Sequence, residues 1–331
     1  MKTLVLASNS FTGAHLVDYL LAKTDHEVIG VSRSPEYNPV LLPYLYRKER
    51  SKRFKFHQLD VNTQLPAILE LADREKPDYI VNFAAQGEVR NSWKWPVQWY
   101  ETNVMSVVKL TTALVEKKYL KKYVAASTPE VYGATGENLK ECETYKPSTP
   151  YAASKLAGDL HLMTLFRRYG FPVSFTRSAN LYGIHQQLYR IIPRTVLYAK
   201  KGRVLELHGE GRSVRSFIHA RDVADATYRV MTSGQPGEAY HVAPEGAGIS
   251  MFELVKSIYG FLGLDMAKGV RLVSENFGQD PLFSMDSSKI RSELGWVDRV
   301  PLDEGIKEVV DWIENNWSVI RDLPDEYQHK A

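Results

Sequence analysis

The sequence predicts an α/β protein in which a doubly wound parallel sheet carries a smaller mixed α/β cap. Over the first 180 residues, short apolar runs alternate with stretches of helical periodicity, and beyond residue 180 the alternation becomes irregular. Neighbouring parallel strands need a long crossover, which a helix usually provides, so the alternation indicates βαβ units. We therefore expect a sheet domain at 1–180 and a cap at 181–331, with residues from about 216 to 241 returning to the sheet domain.

Each predicted element follows from its own pattern. The apolar run at 3–7 is too short for a helix, and apolar residues at helical spacing follow it from Phe11 onward. Further runs of the same type predict strands at 27–32, 54–59, 79–83, 122–126 and 173–176. Residues beyond 180 predict strands at 204–207 and 216–219, and helices at 191–200, 222–231, 251–262, 287–294 and 302–316. Helices are also expected at 104–117 and 151–168.

The stretch 34–52 interrupts this rhythm. It is rich in Pro, Tyr, Lys and Arg and lies after the second predicted strand. Long loops without secondary structure are usually functional or mobile, and the pattern predicts such a loop here.

The charge balance excludes several classes of protein. Forty-two Lys and Arg residues against 39 Asp and Glu give a net charge of +3 in 331 residues, too close to balance for a protein that wraps nucleic acid or adheres to anionic lipid. The single cysteine, Cys142, cannot form an internal disulfide, and residues 1–10 lack the pattern of a secretion signal. No run approaches the ~20 apolar residues that span a bilayer. We expect a cytoplasmic protein with no metal site, since the histidines lack ligand spacing.

The first strand-to-helix turn is a candidate dinucleotide site. Unpaired N–H groups and the positive end of the helix dipole suit a pyrophosphate at such a turn. The usual Gly-x-x-Gly-x-x-Gly pattern falls on Ala7, Ser10 and Gly13, so only its third glycine is present. Small residues still permit close approach of the backbone. The candidate contacts are Asn9, Ser10, Phe11 and Thr12.

The end of the second strand favours NADP as the cofactor, with NAD possible. A protein that binds NAD normally has an acidic residue there, whereas one that binds NADP has a cation for the 2′-phosphate. This chain has Ser32 and Arg33 and no carboxylate. The planar guanidinium of Arg33 matches a phosphate.

A tyrosine and a lysine form the candidate catalytic pair. Tyr151 and Lys155 open a predicted helix and lie on one face of it, four residues apart. A neighbouring ammonium lowers a tyrosine pKa and makes the phenol a proton carrier near neutral pH. Thr128 follows the fifth strand and can hold the same substrate oxygen.

With these motifs the chain resembles the extended short-chain dehydrogenase/reductase family and, within it, the nucleotide-sugar 4,6-dehydratases acting on GDP-mannose or dTDP-glucose. The resemblance covers nearly the whole length. It is carried by the turn at Ser10, the 127–133 run STPEVYG, the 151–155 run YAASK, and by LDV at 59–61, NFAAQ at 82–86, TNV at 102–104, RSANLYG at 177–183, LHGEG at 207–211 and LGW at 294–296.

The resemblance implies a Rossmann-type NAD(P)-binding domain with a nucleotide-sugar-binding cap and a tightly held nicotinamide. Tyr151 would remove the proton of the sugar 4-hydroxyl during oxidation at C4, and Glu130 would remove the C5 proton. The C6 hydroxyl would then leave as water, and the nicotinamide would return its hydride to C6. Further implied cofactor contacts are Asp60, Val61, Phe83, Ala84 and Ala85, and implied substrate contacts are Gln86, Thr128, Asn180, Arg190 and Arg215. The resemblance also implies a homodimer formed through a four-helix bundle.

One departure and three alternatives accompany this interpretation. Relatives acting on dTDP-glucose have an aspartic acid before the glutamate, where this chain has Pro129, so Thr128, protonated Glu130 or a water must assist departure of the hydroxyl. A nucleotide-sugar epimerase or a UDP-glucuronate decarboxylase can use the same scaffold. Because the glycine pattern is degenerate, a non-catalytic nucleotide-binding scaffold is the third alternative, although the presence of Thr128, Tyr151 and Lys155 together argues against it.

Overall fold

The architecture was analysed in a computed structural model, which describes residues 1–48, 50–133, 138–246, 248–274 and 282–330. Its strands are β1 (Lys2–Leu6), β2 (Glu27–Ser32), β3 (Phe54–Gln58), β4 (Tyr79–Asn82), β5 (Lys122–Ala126), β6 (Val173–Ser178), β7 (Asn180–Tyr182), β8 (Leu205–His208), β9 (Val214–Arg215), β10 (Phe217–His219), β11 (Ala239–Val242), β12 (Ile249–Ser250), β13 (Val270–Val273) and β14 (Leu282–Phe283).

Seven of these strands form one parallel sheet in the order β11-β6-β5-β4-β1-β2-β3. The chain builds outward from β1 to β3 and then returns to add β4 on the other side of β1. In such sheets a crevice opens where the winding reverses, beyond the carboxyl ends of the strands. The crevice of this protein therefore lies between the ends of β1 and β4. The doubly wound parallel sheet expected from the sequence is confirmed.

Helices cover both faces of the sheet. The helices are α1 (Phe11–Lys23), α2 (Arg50–Arg53), α3 (Leu65–Glu75), α4 (Val89–Lys94), α5 (Pro96–Tyr100), α6 (Ser106–Leu114), α7 (Pro150–Tyr169), α8 (Ile191–Lys201), α9 (Ala220–Ser233), α10 (Met251–Leu262), α11 (Met266–Gly269), α12 (Ser288–Leu294), α13 (Leu302–Asn315) and α14 (Trp317–Ile320). Alternate residues of β1 face opposite layers, because Val5 packs with α1 and α9, whereas Leu4 and Leu6 pack with α3, α6 and α7. Within the described ranges, no helix is both long and apolar enough to traverse a bilayer.

The cap has a core of its own. Side chains of α8, α10 and α13, among them Val196, Leu254 and Val309, are fully buried together. Residues 220–242 do not belong to this core, since α9 packs on α1 and β11 is the edge strand beside β6. The division of the chain at residue 180 stays a prediction.

The stretch 34–52 is not the structureless loop that its composition predicts. It contains two short 3₁₀ turns, Pro39–Leu41 and Pro43–Tyr46, and leads into α2. Proline fixes the φ angle at the first position of each turn. Leu42 and Tyr44 are fully buried in the core beneath α1, which explains why the segment folds back onto the domain.

The turn between β1 and α1 is closely packed around Gly13. Ser10 caps α1, with its Oγ accepting a hydrogen bond of 3.1 Å from the backbone N–H of Gly13. Ala7 has a left-handed backbone with φ of 59°, at the position where the usual pattern has glycine. A Cβ on residue 13 would lie 2.2 Å from the carbonyl oxygen of Ala7. Glycine is therefore required at 13, whereas alanine is accommodated at 7.

This contact predicts opposite effects for two helical glycines. Gly13→Ala forces the Ala7 carbonyl to move and should lower the free energy of unfolding by about 1–3 kcal/mol. Gly260, in α10, has no atom within 4 Å of a built Cβ, so Gly260→Ala should raise that free energy by about 0.5–1 kcal/mol. Urea denaturation of both variants checks this, and equal effects would contradict the steric argument.

Candidate active site

A short turn after β5 positions two of the predicted catalytic residues. Thr128 caps the 3₁₀ turn Pro129–Tyr132, and its Oγ1 accepts a hydrogen bond of 3.3 Å from the N–H of Glu130. Pro129, at the first position of the turn, fixes the direction in which the chain leaves the strand. Thr128 is buried and Glu130 half-buried. The turn thus places a hydroxyl and a carboxylate side by side at the crevice.

Helix α7 brings Tyr151 and Lys155 to the same place. Thr149 caps the helix through its Oγ1, which accepts from the N–H of Ala152 at 3.1 Å, and Pro150 is the first helical residue. The Tyr151 phenol lies near the Thr128 side chain, which acts to lower the phenol pKa. The Lys155 ammonium donates to the carbonyl oxygen of Ala126, at the end of β5, over 2.7 Å. Thr128, Glu130, Tyr151 and Lys155 therefore surround one end of β5.

Electrostatics in this cluster differ from the sequence-based expectation. Burial, helped by the negative charge of Glu130, raises the pKa of Tyr151, while the Thr128 side chain and Arg190 oppose the rise. Burial lowers the pKa of Lys155, against the pull of Asp159. The sequence predicted that Lys155 would lower the tyrosine pKa, but Lys155 is bonded to Ala126 and burial dominates. The phenol of the protein alone therefore keeps its proton at neutral pH.

The residues proposed for the dinucleotide lie along the carboxyl edge of β1 to β4. The backbone N–H of Asn9 donates to Ser32 Oγ over 3.1 Å, and its side-chain amide donates to the carbonyl oxygens of Ser34 and Pro35. Ser10, Phe11 and Thr12 begin α1. Buried Asn9 therefore joins the loop after β1 to the loop after β2 by hydrogen bonds.

The remaining proposed cofactor residues frame the ends of the crevice. Arg33 is half-buried after β2, and its Nη2 donates to the carbonyl oxygen of Lys330 over 3.1 Å. Asp60 and Val61 follow β3, and Asp60 Oδ1 accepts from the N–H of Asn62. Phe83, Ala84 and Ala85 follow β4. A cradle without side-chain atoms at Gly13, a helix N-terminus and a cation after β2 fit a dinucleotide.

Asn103 is a site residue whose role the sequence did not reveal. It lies in a π-helical turn, Glu101–Met105, and both its amide groups are used. Its Oδ1 accepts from the N–H of Gln86, and its Nδ2 donates to the Gln86 carbonyl and to Ser154 Oγ. Asn103 therefore fixes the loop after β4 to α7. The TNV run at 102–104 was the sequence signal for this residue, but the partners of Asn103 are evident only from the fold.

The predicted substrate residues are spread over several elements. Arg190 caps α8, forms an ion pair of 3.9 Å with Glu88, and its charge reaches Tyr151. Asn180 begins β7 and its side chain donates to the Ser216 carbonyl. Arg215 is on β9, where Nη1 donates to the Val214 carbonyl. Of these three, Arg190 is the residue that the structure connects to the catalytic cluster.

A second cationic feature, missed from sequence, lies one turn further along α8. An open depression of about 500 Å³ is lined by Arg90, Arg194, Tyr198, Arg203, Glu206 and His208. The guanidinium groups of Arg194 and Arg203 stack on the Tyr198 ring at 4.8 and 4.0 Å. Arg190 caps α8, and its carbonyl oxygen accepts from the N–H of Arg194 at 2.8 Å, so the two arginines are one helical turn apart along the chain. We call Arg190 together with the arginines of this depression the cationic path.

A buried polar network supports the catalytic turn from behind. Asp159 Oδ2 accepts from Ser127 Oγ at 2.5 Å and from Arg177 at 3.1 Å. Arg177 also donates to the Tyr132 hydroxyl, which donates to His241 Nε2 over 2.9 Å. His241 Nδ1 then donates to the Asp286 carbonyl. Neutral His241 with its proton on Nδ1 satisfies this chain of bonds, and burial together with the Arg177 charge lowers its pKa to about 4. No group of three or more potential metal ligands occurs among the described residues.

The crevice, the tyrosine and lysine on α7 and the hydroxyl after β5 define an extended short-chain dehydrogenase/reductase. Comparison with known proteins makes the assignment more specific. The family model described as GDP-mannose 4,6 dehydratase matches residues 4–309, and the chain belongs to that family.

Individual relatives agree with this assignment. The chain is 31% identical to dTDP-glucose 4,6-dehydratase of Escherichia coli over 97% of both chains, and 31% identical to dTDP-D-glucose 4,6-dehydratase of Mus musculus over 96% of this chain and 89% of the relative. Among solved structures, DesIV, a dTDP-glucose 4,6-dehydratase from Streptomyces venezuelae with NAD bound, superposes with a TM-score of 0.86 at 31% identity, covering 96% of this chain and 98% of DesIV. A UDP-glucose 4-epimerase from Thermotoga maritima, 24% identical over 96% of this chain and 100% of its own, also has a TM-score of 0.86 and shows the shared fold.

The neutral state of His241 predicts an acid-sensitive fold. Because the folded pKa lies near 4 and the ordinary value is 6.5, the unfolded chain binds the extra proton in between, and stability falls as the pH drops through that window. From pH 7 to pH 5, this residue should cost about 2 kcal/mol of unfolding free energy. His241→Gln keeps a hydrogen-bonding side chain but cannot take up the proton. Between pH 7 and pH 5, urea denaturation should therefore show that its unfolding free energy falls by about 2 kcal/mol less than that of the parent. An unchanged pH dependence in the variant would contradict the assignment.

Proposed function

We propose that the protein is a nucleotide-sugar 4,6-dehydratase that converts an NDP-hexose to an NDP-4-keto-6-deoxyhexose, a carbon–oxygen lyase reaction. The observation that carries this proposal is the position of Glu130. Glu130 is on the same turn as Thr128, and its negative charge is near enough to help raise the pKa of the half-buried Tyr151. A dehydratase needs a proton acceptor for C5 beside the group that handles the C4 hydroxyl. Epimerases of this scaffold have no need for that carboxylate.

The residues divide the chemistry between them. Bound nicotinamide would supply the hydride acceptor during oxidation at C4, the hydride donor to C6, and a positive charge beside the phenol. Tyr151, near Thr128, would take the proton of the 4-hydroxyl once its pKa is lowered by that charge. Lys155 orients the end of β5 through the Ala126 carbonyl. Glu130 would take the C5 proton, which is acidified by the adjacent C4 carbonyl.

Departure of the C6 hydroxyl needs a proton donor that Pro129 cannot provide. Glu130, protonated by its own abstraction step, is the group we assign, because it then faces both C5 and C6. Loss of the C5 proton and the C6 hydroxyl removes one water from the sugar. Return of the hydride to C6 together with a proton to C5, which Tyr151 holds after taking it from the 4-hydroxyl, then restores the redox balance. The product carries a ketone at C4 and a methyl group at C6.

The cationic path along α8 supports a sugar diphosphate as substrate. Arg190 acts on the catalytic tyrosine from one side, and Arg194 and Arg203 line the depression beyond it. Guanidinium groups match phosphate oxygens in pairs, and Tyr198, already stacked with both arginines, gives the path an aromatic wall. Asn180, Gln86 and Arg215 remain proposed contacts of the sugar nucleotide.

We also propose NADP as the preferred cofactor. The solved relative DesIV contains NAD. The support for NADP in this chain is Arg33, which is half-buried after β2, a position where a carboxylate would select NAD.

A homodimer remains a proposal, supported by an exposed apolar surface. Side chains of α4 to α7 and the π turn are exposed in the monomer, namely Trp93, Val97, Tyr100, Met105 and Leu160. Large exposed apolar side chains grouped on neighbouring elements commonly mark interfaces. A cytoplasmic location is likewise proposed, from the lone cysteine and the charge balance.

The role of Glu130 predicts a variant that stops midway. Glu130→Gln removes the C5 base while keeping the side-chain shape, so kcat should fall by about 10²- to 10⁴-fold. Dinucleotide binding and reduction of the cofactor on addition of substrate should persist. Mass spectrometry of a panel of nucleotide sugars measures loss of water, and absorbance at the reduced nicotinamide band measures the first step.

The matched control is Glu143→Gln, whose side chain is 78% exposed and which should retain parental turnover. Parental turnover in Glu130→Gln would refute the proposed base. Loss of carbon dioxide from a glucuronate substrate would instead identify a decarboxylase, and an isomer of unchanged mass would identify an epimerase.

Arg33 provides the test of cofactor preference. Removing a charge-assisted contact with the 2′-phosphate in Arg33→Ala should weaken NADP binding about tenfold and leave NAD binding nearly unchanged. Arg74→Ala, at an exposed arginine remote from the crevice, is the control. Equal weakening of NAD and NADP in titrations would overturn the preference.

A further inference from the structure

Residues 324–330, which we name the strap, run in an extended path after α14. Half-buried and exposed residues alternate along the strap, with Asp325, Tyr327 and His329 facing inward. An alternation of period two is typical of an extended chain with one side packed on a surface. The strap is therefore a packed element of the fold, although it contains no helix or strand.

The strap begins on the cap. Asp325 Oδ2 accepts hydrogen bonds from Lys201 at 2.9 Å and Arg203 at 2.8 Å, at the end of α8. Tyr327 then contacts Tyr189 edge to face, with ring centroids 5.3 Å apart. The charges of both Arg33 and Arg190 reach Tyr327. This residue is therefore near both of the cations assigned to the cofactor and to the substrate.

Near its end, the strap is anchored by aromatic stacking on the sheet domain. The His329 ring is stacked on Trp95 and Trp99, with centroids 4.3 and 5.6 Å away and interplanar angles of 9° and 10°. Its Nε2 pairs with Gln98 Oε1 over 2.6 Å. The strap thus passes from cap to sheet domain with specific contacts on each.

The end of the strap bridges the crevice. The carbonyl oxygen of Lys330 accepts from Gln86 Nε2 at 2.8 Å and from Arg33 Nη2 at 3.1 Å. Gln86 follows β4 and Arg33 follows β2, and β1 lies between those two strands. The strap therefore crosses above the turn at Ser10, where the pyrophosphate of a dinucleotide would lie. The Lys330 ammonium meanwhile donates to Ser34 Oγ at 3.1 Å and lies 5.4 Å from the centre of the Tyr37 ring.

We propose that the strap closes the dinucleotide crevice over the bound cofactor and that Lys330 acts with Arg33 as a specificity residue for the 2′-phosphate. The inference rests on the proposed function, because it requires a dinucleotide in this crevice. A reaction that returns its hydride to the product regenerates the cofactor in every cycle. Closure over the cofactor therefore does not impede turnover, whereas an enzyme that exchanges its cofactor needs an open crevice.

Lys330 supplies a second cation beside Arg33, so the sheet domain needs only one arginine for the 2′-phosphate. The Lys330 ammonium of the strap donates to Ser34 in the loop that follows β2, next to Arg33, whose guanidinium donates to the Lys330 carbonyl. One cation from this loop and one from the strap would face a phosphate on the adenosine ribose. NAD, which carries a hydroxyl there, would gain closure by the strap but no charge pairing.

Three variants test the strap in the full enzyme. One lacks residues 324–331, the second is His329→Ala, and the third is Lys330→Gln, with Lys256→Gln, at an exposed lysine of α10, as control. The measurement is the dissociation rate of NADPH and of NADH, followed by loss of their fluorescence after excess oxidised dinucleotide is added. Circular dichroism melting confirms that each variant is folded, and the two point variants carry the test if the truncated chain is not.

The strap predicts a distinct pattern of rates. Truncation and His329→Ala should speed release of both dinucleotides about tenfold, whereas Lys330→Gln should speed release of NADPH about fivefold and leave NADH unchanged. Unchanged or slower release on truncation would overturn the closure, and equal effects of Lys330→Gln on both dinucleotides would overturn the specificity. If the parent dehydrates a nucleotide sugar and the variants release both dinucleotides at the parental rate, only the inference fails. If the parent binds neither dinucleotide, the proposed function fails with it.

Discussion

The hydrogen bond from the Lys155 ammonium to the Ala126 carbonyl is the contact on which the site depends. It joins the helix that carries Tyr151 to the strand whose end carries Thr128 and Glu130. Both partners are half-buried, and the 2.7 Å hydrogen bond fixes the position of the ammonium against the strand end. Asp159, one turn further along α7, extends the junction to Ser127 and Arg177. The catalytic groups are therefore arranged before any ligand arrives, and the energy of that arrangement comes from folding.

The same junction explains the electrostatic state of the site. Burial and the Glu130 carboxylate hold the tyrosine in its protonated form, and the cation whose charge opposes them is Arg190. A cationic ring placed in the crevice would tip that balance toward the phenolate. Under the proposed function, the protein alone is thus not poised for proton abstraction and would become so when the dinucleotide binds. Such a coupling would avoid a reactive phenolate in a site that cannot yet transfer hydride.

The sequence was sufficient for the sheet and for the catalytic cluster because both depend on local patterns. Apolar runs and a Tyr/Lys spacing of four are short-range signals, and the strand ends bring the motifs together by topology alone. The sequence was insufficient where the partner is distant. Arg203 and Asp325, or Lys330 and Arg33, are separated by more than a hundred residues, and nothing in their own neighbourhoods indicates the pairing. The prediction of a structureless loop at 34–52 was wrong for a different reason. The composition of that stretch is rich in polar residues and proline, and it does not indicate that the Tyr44 ring is buried. The pKa of Tyr151 was misjudged because the pattern shows its lysine neighbour but not the depth at which both lie.

The π turn at Glu101–Met105 has a geometric consequence for the whole α5 to α6 region. A π turn contains one residue more than an α-helical turn, so it changes the rotational phase of the helix by about 100°. Asn103, within the turn, points to the loop after β4, and the close approach of Gly158 in α7 to its carbonyl leaves no space for a side chain there. Beyond it, α6 presents Val107 and Leu110 to the sheet, while Tyr100 and Met105 remain outside. The extra residue thus allows Asn103 to contact the loop after β4, α6 to pack on the sheet, and Tyr100 and Met105 to stay exposed. An uninterrupted α-helix would rotate one of these sets of side chains away from its position.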